Sequence, residues 1–171
     1  MKHLASLRRG IDVIEVEVQG VSFDLNNAPV LLLKERGGRR LLPIWVGPIE
    51  ASAITYAARR ESFERPLTLD IIKRIIEALG SKVERIIITG LKENTYYASL
   101  VLSRDDEVIS IDARPSDSVA IAVHMRAPIF VDSELMEEQS REMAEDEEAK
   151  LDELKERLRD IDPENFGNFK L

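Results

Sequence analysis

Apolar and polar positions along this chain fall into short blocks whose period switches between that of a strand and that of a helix. Val16-Glu-Val-Gln-Gly20 alternates. Pro29-Val-Leu-Leu-Leu33, Leu41–Val46, Ile86-Ile-Ile-Thr-Gly90, Tyr97-Ala-Ser-Leu-Val101 and Val108–Ala113 read as apolar runs of strand length. Turn-forming pairs separate them: Asn26-Asn27, Gly37-Gly38, Glu93-Asn94 and Asp105-Asp106. Short spans joined by tight turns predict antiparallel hairpins rather than strand–helix–strand crossovers. Pro48 and Pro115 suit the first position of a helix, where a missing N–H costs nothing. Between the two sets of strands, Ile71, Ile72, Ile75, Ile76 and Leu79 follow helical spacing. Thr68 is the expected N-cap of that helix and Gly80 its expected terminator.

The blocks repeat. A shift of 67 positions lays Pro48 on Pro115, Glu50 on Asp117, Ala53 on Ala120 and Ile54 on Ile121. Upstream, Val16–Gly20 parallels Ile86–Gly90, and Pro29–Leu33 parallels Tyr97–Val101. Each half therefore reads strand, strand, strand, helix. The expected fold class is α+β: a compact domain from a duplicated β-β-β-α unit with a linking helix, plus a C-terminal helix.

From Leu135 to Ile161 there is neither Gly nor Pro, and Glu, Lys, Arg, Leu and Ala dominate, which predicts one long helix. Leu151, Leu154, Leu158 and Ile161 form its apolar stripe, too short for an independent coiled coil and expected to dock on a body, its own or a partner's. The expected division is a domain over residues 1–135 and an acidic helix and tail over 136–171.

Composition narrows the class. The chain has 171 residues, 44% of them hydrophobic, enough for one well-packed domain. Cysteine is absent, which removes disulfides and thiolate chemistry and fits a reducing cytoplasm. No apolar run approaches the roughly 18 residues of a membrane span, so a soluble cytoplasmic protein is expected. The net charge of −8 is uneven. Residues 1–131 hold 18 Lys/Arg against 17 Asp/Glu, whereas residues 132–171 hold 6 against 15. A neutral body lacks the basic face of a strong non-specific nucleic-acid binder. Only local clusters qualify, Lys34, Arg36, Arg39 and Arg40 in one and Arg59, Arg60 and Arg65 in the other, and solvated surface charge explains both.

Histidine is confined to His3 and His124, which argues against a paired-histidine mechanism or a zinc site. His124 reads most simply as a partly buried helix residue. Any metal would be a hard ion held by carboxylates. The best carboxylate group is Asp112-Ala-Arg-Pro-Ser-Asp117. Asp112 comes late in a strand, Arg114 takes the cap position and Asp117 the third helical position. Asp112 and Asp117 would then hold a divalent ion, and Arg114 would orient a phosphate. The structural alternative is that Asp117 complements the helix dipole while Arg114 pairs with Asp112. Glu50 is the counterpart of Asp117, and Trp45 stands where the other half has Asp112. The two corners either converge on one cleft or lie at opposite ends.

Four stretches resemble the bifunctional nuclease family. They are Leu42-Pro-Ile-Trp-Val-Gly-Pro-Ile-Glu-Ala51, Arg65-Pro-Leu-Thr-Leu-Asp70, Glu77-Ala-Leu-Gly80 with Val83-Glu-Arg-Ile-Ile-Ile-Thr89, and Asp112-Ala-Arg-Pro-Ser-Asp117; Ala127-Pro-Ile-Phe130 fits as well. The resemblance covers roughly residues 12–135. It implies a compact α+β domain that self-associates, here as a homodimer, and a nuclease acting on RNA and DNA as substrates. Carried over by position, the candidates are Glu50, Asp70, Asp112, Arg114, Ser116 and Asp117. Asp112, Arg114, Asp117 and Glu50 would be catalytic, and Asp112 and Asp117 would hold Mg²⁺ or Mn²⁺, which activates water while Arg114 clamps the anion. Thr68 and Asp70 also read as helix-start residues. Many relatives look to carry histidine where this chain has Leu69 in the Arg-Pro-Leu-Thr-His-Asp motif. The competing expectation is a non-enzymatic, self-associating interaction domain whose polar corners are structural.

Overall fold

The computed structural model describes residues 12–59 and 63–143. Their elements are β1 (Val13–Phe23), β2 (Pro29–Glu35), β3 (Arg40–Trp45), α1 (Pro48–Arg59), α2 (Thr68–Ala78), β4 (Lys82–Lys92), β5 (Thr95–Arg104), β6 (Glu107–Ala113), α3 (Pro115–Met125), β7 (Ile129–Asp132), α4 (Ser133–Gln139) and β8 (Arg141–Glu142). The chain divides into two compact units, Met1–Arg141 and Glu142–Leu171. No helix among the described residues is long and apolar enough to cross a membrane.

The strands form one mixed sheet in the order β6-β5-β4-β7-β1-β2-β3-β8. The four turn pairs do make hairpin corners: Asn27, Gly37, Glu93, Asn94 and Asp105 all have positive φ. Outward from β7, both triplets run first, second, third strand. The pairing that joins them was not evident in the sequence. Ile129-Phe-Val-Asp132 inserts between the halves, parallel to β4 (Ile86 beside Ile129) and antiparallel to β1 (Val13 beside Asp132). A strand of four residues in a Pro-led segment carries too little periodicity to be read on its own.

The core explains the apolar runs. Ile86 and Ile88 are fully buried and Ile87 nearly so, because β4 lies between β5 and β7 and is covered on both faces. Leu31, Leu33, Leu42 and Ile44 line up across β2 and β3 in facing pairs and meet Ile54 of α1 and Val119 of α3 in one cluster. The outermost strand β6 differs: Val108, Ile109 and Ile111 are all exposed.

Three helix expectations change. The N-cap of α2 is Leu67, with Thr68 the first helical residue; Asp70 accepts the Leu67 N–H at 2.8 Å and closes that end. One side of α2 packs inward through Leu69, Ile72 and Ile76, while Ile71, Ile75 and Leu79 stay exposed. The helix expected to run from Leu135 to Ile161 is not continuous. α4 ends at Gln139, and the extended backbone of Ser140 (φ −83°, ψ 159°) leads into β8. Leu135 and Met136 are core residues, so residues 136–139 belong structurally with the body. The stripe from Leu151 to Ile161 lies outside the described residues.

α2 and α3 end alike but with different chemistry. Gly80 (φ 67°) and Arg126 (φ 60°) both take the left-handed conformation that a helix terminus needs. A Cβ disfavours that conformation by roughly 1–2 kcal/mol. Gly80→Ala is expected to lower stability by about 1 kcal/mol, although its Cβ would meet nothing within 4 Å. Arg126→Gly should raise stability by about 0.5 kcal/mol after the entropy of a freer unfolded chain is counted. Urea denaturation of the two variants checks both signs.

Candidate functional site

The two strand–helix corners converge. β3 ends at Trp45, and Gly47-Pro48 turns the chain into α1; β6 ends at Ala113, and Arg114-Pro115 turns it into α3. Arg114 is extended (φ −69°, ψ 145°), and its carbonyl takes the first helical hydrogen bond, from the Ser118 N–H at 3.0 Å. Gly47 plays that part for α1 by accepting from Ala51 N–H at 2.9 Å. The first turns of the two helices lie side by side.

Arg114 bridges them. Its Nε donates to Asp117 Oδ2 at 2.6 Å and its Nη2 to Asp117 Oδ1 at 3.1 Å, a fork on one carboxylate. Its Nη1 donates to Glu50 Oε1 at 2.8 Å, across from the other corner. The sequence pairing of Glu50 with Asp117 thus becomes a carboxylate–guanidinium–carboxylate chain. Glu50 has only 20% of its side chain exposed, against 65% for Arg114, so the acid is seated and the guanidinium faces outward. Asp117 first, then Glu50, pushes the Arg114 pKa above its ordinary value. One guanidinium against two carboxylates leaves a net charge of −1. Each helix N-terminus supplies about +0.5, so the cluster is close to neutral as a whole.

Gly47 makes room for this arrangement. A Cβ there would overlap the Glu50 carboxylate, which folds back over the turn. Beside the cluster is a cleft of about 370 Å³, lined by Trp45, Glu50, Asn94, Tyr96, Arg114 and Ser116 among others. Burial raises the Tyr96 pKa.

Asp112 stands apart. It is exposed on β6 opposite Ser99 and makes no hydrogen bond or ion pair among the described residues. Arg114 therefore pairs with Glu50 and Asp117, not with Asp112, contrary to the structural alternative drawn from the sequence. The metal expectation fares poorly on geometry. The oxygens of Glu50 and Asp117 are hard donors of the type Mg²⁺ and Mn²⁺ prefer, but Arg114 engages both groups. No cluster of three or more His, Asp or Glu side chains among the described residues could hold an ion. As arranged, these residues do not fit a resident divalent cation.

A second polar group was missed. His124 Nε2 lies 3.2 Å from Asp70 Oδ1, Tyr56 donates its hydroxyl to Asp70 Oδ2 at 3.2 Å, and the Tyr56 and His124 rings stack at 6.1 Å. Glu50 meets Arg114 near the helix starts and Tyr56 meets His124 farther along, so α1 and α3 run in the same sense. Leu69, at the position of the motif histidine, is a core residue. The sequence signal was present in Asp70 and His124 themselves, but only the α1–α3 packing brings them together.

Two arginines of the first basic cluster are committed to acids. Arg40 makes a two-pronged bond to Glu35 at 2.8 and 2.7 Å, and Arg36 pairs with Glu15 at 2.5 Å and Glu17 at 3.4 Å. They cap the β2–β3 hairpin rather than form an open cationic patch.

Asp70 sets a pH dependence. The Leu67 amide foremost, then the Tyr56 hydroxyl and the charges of His124 and Arg74, hold its carboxyl below the usual range against the opposing effect of desolvation. An acid with a depressed pKa stabilises the fold above its unfolded value and stops doing so as pH falls through the folded one. Stability should therefore drop below about pH 4, and Asp70→Asn should flatten that drop. Circular dichroism of acid unfolding measures the difference.

A family model for the bifunctional nuclease domain matches residues 31–144. An uncharacterised protein of Mycobacterium tuberculosis is 39% identical over 165 residues, spanning 89% of this chain and 97% of its own. Bifunctional nuclease 1 of Arabidopsis thaliana is 32% identical over 111 residues, 63% of this chain and 34% of its own. Bifunctional nuclease 1 of Oryza sativa subsp. japonica is 32% identical over 105 residues, 60% of this chain and 32% of its own. The shared region therefore covers about a third of each plant protein and most of the mycobacterial one. By the family match over residues 31–144, which takes in both strand–helix corners, this chain belongs to the bifunctional nuclease domain family.

Proposed function

We propose that the protein is a nuclease that hydrolyses phosphodiester bonds of RNA and DNA in the cleft beside Arg114. The observation that carries this reading is the meeting of Glu50 and Arg114, from two separate corners, at one open cleft, with Asp117 bonded to the same guanidinium. Family membership supports it, since the plant relatives are named as nucleases.

Arg114 has five N–H donors, and three are used on the two acids. The remaining two are available for a phosphate oxygen and for the charge that grows on it as water attacks. Glu50, held in place by Arg114, would accept the proton of the attacking water, and the departing oxygen would take a proton from solvent. Asp117 fixes the plane of the guanidinium and does not itself need to touch the substrate. Because the cluster is nearly neutral, its pull on a polyanion is modest, in keeping with the balanced charge of residues 1–131.

A second reading, the self-associating domain, has its own support. β6 is an edge strand with Val108, Ile109 and Ile111 exposed, a surface suited to pairing with a second copy. Sedimentation of the full chain should report a dimer, and Ile109→Lys should convert it to monomer. A dimer unaffected by that charge would place the interface elsewhere.

Cleavage of labelled single-stranded RNA and DNA tests the nuclease reading. Arg114→Ala should reduce kcat/KM by about 10²-fold or more. Gly47→Ala should also reduce it, by displacing Glu50, while thermal stability changes little. Asp112→Asn should match the unaltered protein. Full activity in Arg114→Ala, or loss in Asp112→Asn, would move the chemistry away from this cluster.

A further inference from the structure

Trp45 is the chain's single tryptophan, yet 59% of it is exposed. An indole left in water forgoes a large hydrophobic gain, so its setting matters. It does not hang free. Its Nε1 donates to Asp24 Oδ2 at 3.1 Å, and Asp24 Oδ1 in turn accepts from the N–H groups of Asn26 at 2.8 Å and Ala28 at 2.9 Å. The β1–β2 turn thus holds the carboxylate, and the carboxylate holds the ring. Trp45 also closes β3 opposite Val30, so its backbone is fixed by the ladder. The result is a rigid aromatic surface, oriented by a hydrogen bond at one edge and open on the remainder.

Trp45 lines the same 370 Å³ cleft as Arg114 and Glu50, together with Asn94 and Tyr96. A cleft of this size is at the small end of the range for ligand sites. Its contents are an aromatic plane, an amide able to bond a base edge, and a guanidinium. The near-neutral charge of the acid–guanidinium cluster leaves phosphate attraction weak, so a polyanion needs another source of affinity here. Stacking supplies it irrespective of charge, because every base has a π-face.

We infer that the cleft binds a nucleobase stacked on Trp45, with the adjoining phosphate beside Arg114, so that the strand is taken with that base unpaired and turned out. This rests on the nuclease reading for the identity of the ligand, but not for its test. Other exposed aromatics, Phe23 and Phe63, border a separate groove next to Tyr56 and are not needed for it.

A single tryptophan makes the site its own reporter. The full chain is titrated at low temperature with a single-stranded thymidylate hexamer, following intrinsic fluorescence and checking that the oligomer stays intact. An abasic phosphodiester of equal length and inorganic phosphate serve as controls. Saturable quenching by the hexamer, absent with both controls, is the expected result. Affinity measured independently by anisotropy of a labelled hexamer should fall about 5- to 150-fold in Trp45→Ala. Asp24→Ala, which keeps the indole but releases it, should weaken binding less. No quenching, or equal quenching by the abasic chain, would overturn the stacking site. So would unchanged anisotropy affinity in a folded Trp45→Ala. Cleavage assayed alongside keeps the two readings separable: stacking without cleavage leaves this site standing and removes the nuclease reading, and cleavage without stacking does the reverse.

Discussion

Four residues hold the two halves of this domain together. β1 and β4 do not pair with each other; each pairs with β7, one antiparallel and the other parallel. Without Ile129–Asp132, β4 and β1 would each expose an inner edge. With it there is one continuous sheet, and Ile129 and Val131 join the cluster that includes Ile86, Ile88 and Val119. α1 and α3 then pack on each other, and their first turns meet. Everything proposed about chemistry depends on that meeting, since neither corner holds the full set of groups.

The corner itself balances charge rather than concentrating it. Asp117 would be a favourable residue at a helix N-terminus in any case, and so would Glu50. What distinguishes this place is that one arginine serves both, reaching over from one helix start to the other. Exposed ion pairs contribute little to stability, so an arrangement with Arg114 two-thirds exposed is poorly explained as a structural brace. An exposed guanidinium oriented by two acids, with donors to spare at a cleft, is better suited to holding an anion for a moment than to holding a fold.

How much of this was legible in the sequence depends on the range of the interaction. The hairpins were, because Asn26-Asn27, Gly37-Gly38, Glu93-Asn94 and Asp105-Asp106 are local signals with local consequences. So were the helix starts at Pro48 and Pro115 and the stop at Gly80. Elements set by the third dimension were not. β7 is too short to show a period, and the run after Leu135 looked helical throughout because nothing in its composition marks the break at Ser140. At the site, Glu50, Arg114 and Asp117 were identifiable individually, but their union was not, since it depends on how two distant corners are stacked. Asp112 shared their motif and not their place. His124 reads as a partly buried helix residue and is one, while its partners, Asp70 and Tyr56, arrive only through helix packing.

The central claim is that Glu50 and Arg114 act as one unit drawn from two corners. Groups that act together lose activity together, so the loss on removing both should not exceed the loss on removing the more damaging one. The decisive measurement is kcat/KM on a single-stranded substrate for Glu50→Gln, Arg114→Ala and the double variant, each confirmed folded. This account predicts that the double variant is no worse than the poorer single variant. Losses that multiply, or no loss in either single variant, would contradict it.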